Sequence, residues 1–251
     1  MKAFTRTLLA AALTLSFAGA ALATPSGQIW IPSTDAKGFK ELNISIDNYV
    51  RFSDAADAGT NFYNAGVTVG VLPFEKFKLE VGVDFLTDGN NSVEAQHPIY
   101  FNFKGAIVED AFFKGMPALA AGMYGLGTFD RGATGGSTTA NIAYGLVAKT
   151  LPVVGRLSVG GYHGAEKELG KKYNTGILAS WDRTMSEISD KLWFAVDYMS
   201  GNNAFGAVSV GASWTFTPNV SVLVGANVYN PGQSTLYGGK PTFTTQLDIN
   251  F

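Results

Sequence analysis

In Phe77-Lys-Leu-Glu-Val-Gly-Val-Asp-Phe85 the odd positions are apolar and the even ones polar or small. Successive side chains of an extended chain point to opposite faces, so this stretch predicts a two-faced strand. The same period of two recurs. Val208, Val210, Ala212, Trp214 and Phe216 oppose Ser209, Gly211, Ser213 and Thr215. Val220, Val222, Val224, Ala226 and Val228 oppose Ser221, Gly225 and Asn227. Ile99, Phe101 and Phe103 oppose Tyr100, Asn102 and Lys104. Twelve segments read as strands, at 41–51, 61–72, 76–87, 97–107, 117–129, 138–150, 154–164, 174–184, 190–200, 205–217, 219–229 and 243–251. The pair at 117–129 and 138–150 alternates less sharply, with Ala and Gly on both faces. The last segment sets Phe243, Leu247, Ile249 and Phe251 against Thr244, Gln246, Asp248 and Asn250.

The connections alternate between tight and long. Tight ones are Pro73-Phe-Glu75, Pro152-Val153, Ser186-Glu-Ile-Ser189 and Pro218. Long ones, at 52–60, 88–96, 130–137, 165–173, 201–204 and 230–242, are rich in Gly, Asn, Asp and Ser. Up-and-down barrels of outer membranes have short periplasmic turns and longer outer loops. Three stretches, beginning at Leu72-Pro, Leu151-Pro and Thr217-Pro, repeat one form: a proline turn feeding an alternating strand that reaches Gly. Pro is tolerated at such a turn, outside the ladder. The segment 105–116 is longer than its tight siblings and predicts either a short helix around 107–114 or extended strands.

Composition narrows the architecture. The chain is 46% hydrophobic but only 15% charged, with 30 Gly, 18 Phe and no Cys; an average soluble domain is about 25% charged. Residues 1–23 show a basic start (Lys2, Arg6), an apolar run and an Ala21-Leu-Ala23 site, the form of a cleaved signal peptide. Its removal leaves 228 residues with 16 basic and 20 acidic side chains, a formal charge of −4. That balance offers no basic patch for nucleic acid. Past residue 23 no apolar run reaches the roughly 18–20 residues of a spanning helix. An exported chain of this composition can then cross a bilayer only as a closed β-barrel, since closure alone satisfies every backbone N–H and C=O in lipid. The expected fold is therefore an all-β, up-and-down antiparallel barrel of twelve strands over 41–251.

Aromatic residues fall near the strand ends. Tyr49, Phe62, Tyr63, Phe85, Phe129, Tyr162, Tyr198, Phe205 and Tyr229 are expected at an outer rim, and Phe74, Phe77, Trp193, Phe194, Trp214, Phe216 and Phe251 at an inner one. Such girdles meet lipid headgroups.

On these features the chain resembles the outer-membrane β-barrel proteins of Gram-negative bacteria over essentially all of its residues past 23. Phe243, Leu247, Ile249 and Phe251 are similar to the C-terminal signature of that class, with departures at Ile249, where an aromatic is more usual, and at Thr245. The resemblance implies an outer-membrane location, a lipid bilayer as solvent and recognition of the last strand by the barrel-assembly machinery. It does not single out a subfamily.

Residues 24–40 fit no spanning strand. Pro25 and Pro32 interrupt them, yet Ile29, Trp30 and Ile31 are too apolar for a free linker. They predict either a segment docked at the periplasmic mouth or partly in the lumen, or a loosely packed lead.

Chemistry along the chain is sparse. The two histidines, His97 and His163, sit at outer strand ends; Ser92 lies five residues from one, and Asp182 is lower on its strand than the other. No Gly-x-Ser-x-Gly elbow occurs, and no catalytic residues are assigned. Asp54, Asp57, Asp88, Asn90 and Asn91 match no calcium loop. The glycine runs at 122–127 and 132–136 lack the Lys and helix of a phosphate cradle. No metal or cofactor is expected. Charges on strands belong in the lumen, because Lys or Arg on the lipid face costs about 2–4 kcal/mol at midplane. The inward candidates are Asp47, Lys78, Glu80, Asp84, Lys104, Arg156, Asp182, Asp197 and Asp248. Small inward residues such as Gly82, Ser158, Gly160, Ser209, Gly211 and Ser213 leave room for water. The favoured reading is a narrow porin-like channel for small hydrophilic solutes. The alternatives are a non-conducting structural or surface-interaction barrel and, remotely, a barrel-embedded hydrolase.

Overall fold

Twelve strands follow one another around the wall, each hydrogen-bonded to its neighbours in sequence, and the first closes on the last. The computed structural model describes residues 26–131, 136–231 and 239–251. The strands are β1 (Leu42–Arg51), β2 (Phe62–Gly70), β3 (Phe77–Thr87), β4 (Ile99–Ile107), β5 (Ala118–Asp130), β6 (Ser137–Leu151), β7 (Gly155–His163), β8 (Thr175–Thr184), β9 (Leu192–Met199), β10 (Ala207–Thr217), β11 (Val220–Tyr229) and β12 (Thr242–Asn250). All twelve pairings are antiparallel. Closure runs in register from Asn43↔Asn250 to Arg51↔Thr242, with Phe251 N–H and Leu42 C=O extending the seam. Among the described residues no edge strand remains to pair with another chain.

The alternation sorts the two faces. Val81, Val83, Phe85, Phe101, Phe103, Val159, Val210, Trp214, Val224 and Phe243 are exposed on the outside, while Glu80, Lys104, Ser158, Asp197, Ser209, Ser221, Asn227, Thr244 and Gln246 are buried within. This is the reverse of a soluble barrel. An outer surface this apolar is matched by hydrocarbon, and most strands have the 9–11 residues that a tilted span requires.

Several rim aromatics turn inward rather than to lipid. Tyr49, Phe62, Tyr162 and Tyr229 are buried at the outer end of the lumen. Trp193 is inside near the periplasmic end, donating through Nε1 to Asp182 Oδ2 at 3.2 Å. The reason is parity. Tyr49 lies two residues from Asp47, Tyr229 two from Asn227, and Trp193 four from Asp197, so each shares a face with a polar lumen residue. Phe77, Phe85, Trp214, Phe216 and Phe251 do face out.

Residues 108–117 form neither a helix nor longer strands. They fold as a turn held by Asp110, whose Oδ1 accepts from Gly115 N–H at 2.6 Å, and by Lys149, which pairs with Glu109 at 2.7 Å. The Gly115 N–H and the Lys149 ammonium hold the Asp110 carboxyl below its usual range. Two single-turn helices lie in the outer loops, α1 (Val93–Gln96) and α2 (Glu166–Leu169). Leu169 of α2 is buried against Ile142, which brings that loop over the mouth.

Candidate functional site

Residues 26–40 lie inside the barrel. Gln28 N–H donates to Ile31 C=O at 2.8 Å, making a tight turn. Gly27 and Pro32 face each other across an antiparallel bridge, and Ser33 bonds back to Ser26 C=O through its N–H at 3.3 Å and its hydroxyl at 3.0 Å. The result is a hairpin with Ile29 and Trp30 at its tip. Its stem descends through Asp35 and Lys37 to the periplasmic end. There Lys40 N–H donates to Gly70 C=O at 2.8 Å. Gly70 has to be glycine, because a Cβ there would sit 1.8 Å from Gly38 O.

The tip is anchored at three points. The Ile29 and Trp30 amides both donate to Asp197 Oδ2 at 2.8 Å, and the Ile31 amide reaches it at 3.5 Å. Charge-assisted bonds of this kind are about twice as strong as neutral ones. Trp30 Nε1 donates to Phe205 C=O at 2.7 Å. The indole meets Tyr49, Tyr229 and Phe62 edge-on at 5.3, 5.9 and 6.0 Å. Ile29 packs with Ala195, Leu223 and Trp193. It lies against Gly211, where a Cβ would come 2.8 Å from Val224 O and 3.2 Å from Ile29 Cδ1. Ile31 enters the larger cluster with Ile142, Leu178, Met199 and Tyr162.

The stem is held by charge. Glu80 pairs with Lys104 at 3.0 Å and accepts from Ser26 Oγ at 3.0 Å and Lys37 N–H at 2.7 Å. Asp182 accepts from Arg156 Nε and from Gln28 Nε2, both at 2.9 Å. The same Arg156 grips both Asp35 carboxylate oxygens at 2.8 and 2.7 Å. Lys37 Nζ donates to Asn250 Oδ1 at 2.8 Å, and Gln246 Nε2 to Ile29 C=O at 2.8 Å. Such buried charges contribute little net stability, since desolvation offsets attraction, but removing one partner typically costs about 3–5 kcal/mol.

Of the candidate lumen residues, Glu80, Lys104, Arg156, Asp182 and Asp197 all act on the hairpin. Asp248 accepts from Asn43 Nδ2 at 3.2 Å beside the Lys37 stem. Asp84 stands apart, accepting from Asn64 at 3.2 Å and Asn102 at 2.6 Å. Asp47 stands opposite Asn64 across the β1–β2 ladder, and Lys78 lines the periplasmic mouth beside Phe39. Sequence reasoning missed Tyr49, Phe62, Gly211, Tyr229 and Gln246 as hairpin contacts. Strand parity places all five in the lumen, but nothing local tells what they touch.

Above the hairpin an open cavity of about 220 Å³ remains on the outer side, with Trp30, Phe205, Asp84, Tyr100 and Tyr124 in its wall.

No catalytic constellation forms around the histidines. His97 stacks on Phe129 at 3.6 Å. Ser92 is occupied as the N-cap of α1, accepting from Ala95 N–H and donating to Asp88. His163 lies on the exposed face of β7 with Nδ1 at 2.7 Å from Thr175 Oγ1, whereas Asp182 faces inward. Among the described residues no three His, Cys, Asp or Glu side chains gather closely enough to hold a metal ion.

No family model matches the sequence, and no curated protein does. Solved structures share the fold. An outer-membrane channel from Pseudomonas putida F1 matches with a TM-score of 0.50 at 11% identity, over 91% of this chain and 100% of that one. The fold is that of an outer-membrane β-barrel. A KdgM porin solved with disordered oligogalacturonate matches at TM-score 0.47 and 9% identity, over 83% and 99% of the two chains. The outer membrane phospholipase A from Escherichia coli matches at 0.46 and 11%, over 84% and 92%.

Proposed function

We propose that the protein is a narrow outer-membrane channel for small hydrophilic solutes, occluded at rest by its own N-terminal hairpin. The observation that carries the reading is how the hairpin is held. Its stem and backbone meet the wall through carboxylates, amides and an arginine, while Ile29, Trp30 and Ile31 at the tip pack on apolar and aromatic wall residues. Water can replace each of the polar contacts when the hairpin leaves. A barrel built only as a scaffold gains nothing from a polar lumen, which needs a satisfied partner for every buried group. The wall carries six carboxylates (Asp47, Glu80, Asp84, Asp182, Asp197, Asp248) against four cations (Arg51, Lys78, Lys104, Arg156). A vacated pore therefore favours cations.

The test is recording from the refolded mature protein in a planar bilayer under a salt gradient. Brief, small openings with a cation-preferring reversal potential are expected. If neither this protein nor a variant lacking the hairpin conducts, although both run as folded, heat-modifiable barrels, the channel reading is wrong. A structural or surface-binding role would then remain.

Assembly is a separate matter. Phe251 is exposed at the periplasmic seam, on the face opposite buried Asn250. Phe251→Ser is expected to lower the amount of folded barrel in the outer membrane several-fold while leaving single-channel behaviour intact. Unchanged assembly with altered current would reverse that assignment.

A further inference from the structure

The outer cavity has a composition distinct from the rest of the lumen. Six rings, those of Trp30, Tyr49, Phe62, Tyr100, Tyr124 and Phe205, wall it. Three carboxylates from three different elements border it: Asp84 from β3, Glu94 from α1 and Glu168 from α2. Among the described residues no Lys, Arg or His lines it. The basic side chains of the lumen lie elsewhere, Lys78 at the periplasmic mouth. Lys104 and Arg156 lie with Glu80 and Asp182 around the hairpin stem. Arg51, at the outer rim, bonds to the carbonyls of Thr60 and Lys240 and stacks over Tyr229.

Aromatic faces present negative charge density, and a cation over such a face gains attraction that grows as water is excluded. Carboxylates add a field of the same sign. A bare metal ion is a poor fit, because the carboxylates do not converge at ligand distances and the walls are rings. An anion meets three negative groups and no cationic side chain among the described lining residues. We infer that this cavity binds organic cations, alkylammonium or aromatic ammonium compounds, which present a diffuse positive charge and apolar bulk together. As an account of what the pore carries, this rests on the channel reading. As a binding site it does not, because its test measures binding without current.

Trp30 belongs to both the cavity and the hairpin tip, so a bound cation contacts the plug directly. The experiment is calorimetric titration of the purified full-length mature barrel in a maltoside detergent, avoiding phosphocholine headgroups, which themselves carry quaternary ammonium. The probes are phenyltrimethylammonium chloride, sodium benzenesulfonate and glucose. Saturable binding of the cation alone is expected. Glu94→Gln, in an outer loop with no part in the strand ladder, should weaken it about two- to threefold. Asp84→Asn/Glu94→Gln/Glu168→Gln together should weaken it about tenfold or more, the product of three losses of that size. Equal binding of benzenesulfonate or glucose, no saturable heat from the cation, or unchanged affinity in the folded Glu94→Gln protein would overturn the proposal.

Discussion

Deleting residues 26–37 is expected to turn a mostly closed barrel into one that conducts continuously, with a unitary current about threefold or more above the brief openings of the intact protein. The estimate follows from geometry: twelve strands enclose a lumen between the filled interior of an eight-stranded barrel and the open channel of sixteen. Here the hairpin supplies the filling that side chains supply in smaller barrels. The deletion spares the wall. Every rung of the β1–β12 seam lies at residue 42 or beyond, and the Lys40–Gly70 contact is retained. Glu80 keeps Lys104, and Asp182 keeps Arg156. Asp197 loses its hairpin partners but gains water. Folding is checked by heat-modifiability, and the current by bilayer recording. Equal currents with and without the hairpin, in barrels that both fold, would mean that solutes pass beside it and that it is no plug.

The strands and their order were legible because each carries its own signal, a period of two closed by a turn. Closure followed from the bilayer, which tolerates no free edge. The inward-facing charges were readable from the cost of placing them in lipid. The hairpin could not be read in the same way. Pro32 and the Ile-Trp-Ile run show only that residues 24–40 are not a spanning strand. What holds them is distant: Gln28 meets a carboxylate 154 residues away, and Ile29 one 168 away. No local period encodes such pairs. The small residues misled in one respect. Gly211 reads as space for water, and the structure fills that space with Ile29. The inward aromatics were recoverable, since Tyr49 follows Asp47 at the strand period. Proximity to a strand end is a weaker guide to lipid than parity.

Asp197→Leu is expected to release the hairpin tip and raise the open fraction by about two orders of magnitude, without moving the barrel wall. Asp197 is 1% exposed, and one of its oxygens accepts from both the Ile29 and Trp30 amides at 2.8 Å. Leucine accepts nothing. Each amide left unpaired in a buried site costs about 1–3 kcal/mol. Two such losses, with the charge-assisted character gone, come to about 3 kcal/mol, close to a hundredfold in equilibrium. The cost falls on the closed state alone, because in the open state water reaches those amides. Asp197→Asn should lie between, since its carbonyl still accepts both bonds but without the charge. Open fraction in bilayer records is one measure; quenching of Trp30 by acrylamide, in a protein whose other tryptophans are replaced by Phe, is another. The decisive control is the hairpin deletion. If Asp197 acts through the tip, replacing it in the deleted barrel should leave the open fraction unchanged, a non-additivity that residues acting as one unit must show. An equal rise in both backgrounds would place the effect of Asp197 in the wall and release the hairpin from any role in gating.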